Sequence, residues 1–108
     1  MSSLGHYKDA GKMGCYSNVT MDNGDPCFIS IARNQVLIKK SRMGIFGKKI
    51  LDSENDPRDV LDLSAALEKK FPEHLTPPDI VHTILRAFTN AALHCSSLDE
   101  LEGVLRDL

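Results

Sequence analysis

Two hydrophobic periods divide this chain at Leu51. Before it, apolar residues alternate with polar ones, as in strands; after it, they recur at helical spacing. The segment Cys27–Arg33 (CFISIAR) sets Cys27, Ile29 and Ile31 on one side. Val36, Ile38 and Leu51 continue that side in the segments that follow. Cys15–Thr20 reads as a first strand, Val36–Arg42 as a third and Lys48–Leu51 as a fourth. Asn23-Gly24 tolerates the positive φ that a two-residue type I′ hairpin turn needs. Pro26 suits a strand start, and Arg33-Asn34-Gln35 gives the next tight turn. The expected sheet is a four-stranded antiparallel meander.

A two-residue turn at Asn23-Gly24 also predicts a register. Cys15 then lies opposite Ala32, and Cys27 opposite Thr20. Side chains alternate along a strand, so this register puts the two thiols on opposite faces and speaks against a bridge or shared metal. It also assigns Val19 to the second, more mixed face with Phe28, Ser30, Ala32, Leu37 and Ile50.

Three helices follow. Asp56-Pro57 predicts the first start, with Asp56 as N-cap and Val60, Leu63, Leu67 and Phe71 as its stripe. Thr76-Pro77-Pro78-Asp79 predicts the second, with Thr76 as cap and a helix to about Cys95. Its stripe, from Val81 through Phe88 to Cys95, is the widest, which marks it as the central helix. Ser97 and Glu100 form a capping box for the third, along Leu98, Leu101, Leu105 and Leu108. Strands first and helices after predict an α+β fold: a four-stranded antiparallel β-meander followed by three helices packed on one face of the sheet. Residues 1–12 read as a flexible N-terminal arm and 13–108 as a single α+β domain.

Composition changes this picture only through charge. The chain has 108 residues, 42% apolar and 26% charged, an ordinary globular balance. Residues 1–51 hold eight Lys/Arg and three Asp/Glu, a net of +5. Residues 52–108 hold five and twelve, a net of −7. Pro26–Leu51 contains six cations and no anion. No apolar run reaches the roughly 20 residues of a membrane span, and the first residues lack the apolar core of a secretory signal. Three cysteines without close spacing do not form a secreted disulfide framework. The expectation is a soluble, cytoplasmic protein.

Candidate chemistry is sparse. His6, His74, His82, His94, Cys15, Cys27 and Cys95 include no Cys-x-x-Cys or His-x-x-x-His pair, so no metal site is predicted. Cys95 follows His94 but falls at a helix C-terminus, where the dipole disfavours a thiolate. The acidic residues Asp52, Glu54, Asp56, Asp59 and Asp62 are accounted for by capping and by a solvated connector. No catalytic residue and no cofactor is assigned.

What remains is Lys39–Lys49, KKSRMGIFGKK. Lys39, Lys40, Arg42, Lys48 and Lys49 surround Met43, Ile45 and Phe46. Cations on both strand faces predict a hairpin end projecting beyond the core. Cations would steer an encounter and the apolar cluster would supply buried area. The reading is a small binding or assembly module whose hairpin contacts an acidic protein surface, with a second copy in a homodimer as one such surface. The first alternative is an enzyme or small-ligand-binding protein using a pocket on the open sheet face. The second is a weak nucleic-acid binder, which the acidic total and the few aromatic residues disfavour.

Overall fold

The computed structural model of the chain describes residues 15–32, 35–40, 49–56, 58–72 and 79–108. The arm expected over residues 1–12 lies outside them. The strands are β1 (Cys15–Thr20), β2 (Pro26–Ala32), β3 (Gln35–Lys39) and β4 (Lys49–Asp52). The helices are α1 (Val60–Lys70), α2 (Ile80–Leu93) and α3 (Leu98–Arg106). The sheet is antiparallel in the order β1-β2-β3-β4, so the α+β meander-then-helices reading holds.

The first turn departs from expectation. Cys15 pairs with Ile31 and Val19 with Cys27, one residue away from the predicted register. The cause is a three-residue loop, Asp22-Asn23-Gly24. Gly24 N–H donates to Met21 O at 2.9 Å, and Met21 N–H donates to Asp25 O at 2.9 Å. Gly24 takes positive φ, at 90°, where a Cβ would be strained. This is the turn-plus-bulge hairpin rather than the type I′ form. The Asn23 side chain reinforces it, accepting from Asp25 N–H at 2.9 Å. Asn23 N–H donates to Ser96 O at 3.1 Å, which ties the loop to the connection between α2 and α3.

That one-residue difference reverses β1. Cys15, Ser17 and Val19 face the core with Cys27, Ile29, Ile31, Val36, Ile38 and Leu51. Val19 therefore leaves the open face to which the sequence assigned it. Cys15 and Cys27 share a face after all. They remain apart, because Cys15 pairs four residues along β2 from Cys27. That is about 13 Å at strand rise, beyond the span of a disulfide.

Helix α2 lies across β1 and β2, flanked by α1, and α3 reaches β4. Phe88, Ile84, Leu85, Ala91 and Ala92 are fully buried against the sheet. One polar contact crosses this layer. Thr89 Oγ1 donates to Leu85 O at 2.7 Å, which leaves Ser17 Oγ to donate to Thr89 Oγ1 at 2.8 Å. Both hydroxyls are buried and both are satisfied.

Two helix starts fall later than predicted. The cap of α1 is Asp59, which accepts from Leu61 N–H at 2.7 Å. Asp56 is instead taken by Arg58, through its backbone N–H at 2.9 Å and its guanidinium at 2.8 Å. Arg58 also donates to Leu105 O, which fastens the α1 approach to the last turn of α3. The cap of α2 is Asp79, accepting from His82 N–H at 2.8 Å; Thr76 lies outside the described residues. Ser97 caps α3 as expected, accepting from Glu100 N–H at 3.2 Å. The reciprocal arm of the box lands one residue earlier, with Glu100 accepting from Ser96 N–H at 3.1 Å.

Candidate functional site

The helices close one face of the sheet. The other face carries Tyr16, Asn18, Phe28, Ser30, Leu37 and Lys39, all half-buried. The β1–β2 register sets Asn18 opposite Phe28, with Tyr16 diagonal to it. The Tyr16 and Phe28 rings lie 5.6 Å apart at 31°. Phe28 pairs with Lys39 on its other flank, and the Lys39 ammonium sits 5.6 Å above the Phe28 ring. A cation over an aromatic face is held by the ring quadrupole. The result is a Tyr16–Phe28–Lys39 stack across β1, β2 and β3. The expected register hid it, because with Cys15 opposite Ala32 the Tyr16 side chain falls on the face away from Phe28. Its signal was the Phe28–Lys39 register, which follows once Ala32 pairs with Gln35.

Lys49 joins this face by a bulge. Ile38 pairs with Leu51, but Lys39 pairs with Lys49, which leaves Ile50 as the extra residue. Without the slip, Lys49 would alternate onto the core side with Leu51. With it, Lys39 and Lys49 stand opposite each other. Like charges in that position repel. Each is offset: Lys39 by the Phe28 ring, and Lys49 by Asp52 Oδ2 at 3.2 Å. The Asp52 carboxyl is held below its ordinary value, first by the Lys49 hydrogen bond and further by Asn55 and Glu54 N–H. Lys40 is exposed at the end of β3. Arg42, Met43, Ile45, Phe46 and Lys48 lie outside the described residues. The structure thus sets Lys39 over the Phe28 ring with Lys49 opposite it, and leaves Lys40 beside them.

A hollow of about 260 Å³ opens beside the stack, lined among the described residues by Ser30, Gln35, Leu37, Lys49, Asp52 and Glu54, among others. Two of its charged side chains, Lys49 and Asp52, are paired with each other. The thiols stand elsewhere. Burial pushes Cys27 up to about 12, with Cys95 adding to it, and burial followed by Glu100 raises Cys95. His94 is exposed, its Nδ1 on Asn90 O at 2.8 Å and its ring stacked on Phe71 at 5.1 Å. The neighbouring His94 and Cys95 are therefore not arranged as base and nucleophile. Among the described residues no group of three His, Cys, Asp or Glu side chains could hold a metal ion, and no helix is long and apolar enough to cross a membrane.

No protein-family model, curated protein or solved structure matches this chain significantly, so the site is read from its own geometry.

Proposed function

We propose that this chain is a binding or assembly module that holds an acidic protein surface with the basic end of the β3–β4 hairpin and the adjoining open sheet face. The observation that carries the reading is the pairing of Lys39 with Lys49 beside the Tyr16–Phe28 rings. Such a surface combines an aromatic centre with a cationic rim, the composition that recurs at protein interfaces. The sequence adds Lys40, Arg42 and Lys48 to the rim and Met43, Ile45 and Phe46 to the apolar part. The partner's acidity follows from the absence of any anion between Pro26 and Leu51.

The test uses a glutamate-rich peptide as probe, titrated at low and high salt. Binding should fall with salt and fall further in a Lys39→Glu/Lys49→Glu variant. Tighter binding to a mixed-sequence oligonucleotide than to the peptide would move the reading to nucleic acid. Binding of neither probe would overturn it.

A second reading, an enzyme or small-ligand protein, draws on the hollow beside the stack. A small polar ligand that raises the melting temperature, with the rise removed by Asp52→Asn, would favour it.

A further inference from the structure

The order β1-β2-β3-β4 leaves two edge strands, and they are built differently. β4 has four residues, begins with Lys49 and meets β3 through a bulge. Shortness, charge and a bulge are the features that discourage pairing at a sheet edge. β1 has six residues, Cys-Tyr-Ser-Asn-Val-Thr, with no charge and no proline, and its register with β2 is unbroken.

The turn fixes which backbone groups of β1 face outward. Met21 donates to Asp25 O, which makes these two a hydrogen-bonded pair. Such pairs recur at every second residue of an antiparallel ladder. Val19, Ser17 and Cys15 therefore direct their N–H and C=O groups to β2. Tyr16, Asn18 and Thr20 turn theirs to the edge that no described strand covers. Asn18 adds an independent observation. Its Nδ2 is buried and has no hydrogen-bond partner among the described residues. A buried donor left this way is destabilising until it finds an acceptor.

We propose that β1 is an assembly edge and that its occupant is β1 of a second copy, paired antiparallel about a two-fold axis at Asn18. Two conditions select that register. Opposed residues must share a face, and the hydrogen-bonded pairs must be the outward residues. Asn18 opposite Asn18, with Tyr16 opposite Thr20, meets both and engages every outward N–H and C=O of the strand. Centring on Ser17 instead would leave Thr20 opposite a position outside β1. The two Asn18 side chains then stand side by side, where rotation of each amide out of its buried position brings its Nδ2 to the other's Oδ1. The product is a continuous eight-stranded sheet, an isologous pairing of one patch with itself. Its far ends are the two β4 edges, so Lys39 and Lys49 stay outside the new pairing. The pairing stands independently of the acidic-partner reading.

The experiment is a charge swap on the axis. The wild-type chain should sediment as a dimer at tens of micromolar. Asn18→Lys places two cations face to face and should weaken dimerisation roughly tenfold or more, as should Asn18→Asp with two anions. Mixing the two variants should restore a dimer that contains one of each. Rescue in the mixture is specific to this register, because only there does residue 18 meet residue 18. Lys39→Glu/Lys49→Glu should leave the dimer intact, which separates a failure here from a failure of the acidic-partner reading. Amide exchange of the wild type provides an arm without mutations: Tyr16, Asn18 and Thr20 should become protected as concentration rises. A wild-type monomer at these concentrations, concentration-independent exchange at those amides, or an unrescued mixture would overturn the proposal.

Discussion

The two faces of the sheet come from the same alternation yet meet different surroundings. On the closed face Ile29, Ile31 and Ile38 are fully buried, and Ser17, a buried polar side chain from the sheet, is matched by Thr89. On the open face Phe28 is half-buried and touches a ring on one side and an ammonium on the other. The closed face holds its residues by packing, which punishes any change of volume. The open face holds them by contacts that are individually weak and partly wet. Stability should therefore concentrate on one face and recognition on the other.

The contrast breaks first at Phe88. Phe88→Ala removes the largest fully buried side chain of α2 and should cost about 3–5 kcal/mol in denaturant unfolding. Next comes Thr89→Val, which keeps the volume but leaves the buried Ser17 hydroxyl without its acceptor. The expected loss is about 1–3 kcal/mol, and adding Ser17→Ala should recover part of it. An additive double variant would mean that the hydroxyls act separately. Phe28→Ala, on the open face, should cost only about 1 kcal/mol, because less apolar area leaves water there. A loss equal to that of Phe88→Ala would erase the distinction between the faces.

The smallest effect is electrostatic. Asp56 is held below its ordinary value of 3.8, chiefly by hydrogen bonds from the Arg58 side chain and backbone. A carboxyl depressed in the folded state contributes stability that is complete above its unfolded value and is lost as pH falls through the folded one. Asp56→Asn should therefore lower the melting temperature slightly at neutral pH and flatten its decline below about pH 4. Both side chains keep some contact with solvent, so salt should shrink the difference.

Legibility followed the number of solutions each stretch allowed. Ile29, Ile31, Val36, Ile38 and Leu51 sit where the alternation puts them, since a buried face tolerates no other frame. Asp-Asn-Gly-Asp is compatible with two turn lengths, and local chemistry favoured the one the fold rejects. Asp56 and Thr76 each stood beside a proline with another cap three residues on. For α1 the choice fell to Asp59, because Arg58 occupies Asp56. The basic character of Lys39 and Lys49 was legible, but their meeting on one face was not. A bulge at Ile38/Lys39 leaves no mark in the alternation of so short a strand.

The Ser17–Thr89 contact has a kinetic consequence. A hairpin closes in roughly 1–10 μs, before a helix some seventy residues distant can dock. At that moment the chain can zip β1 onto β2 through either turn. In the rejected frame Tyr16, Asn18 and Thr20 face inward, and Thr89 meets no serine. The hydroxyl pair works as a checksum on the turn. A chain zipped in the other frame turns Tyr16, Asn18 and Thr20 toward α2 and loses the Ser17–Thr89 contact, so docking of the helix favours the frame seen in the fold.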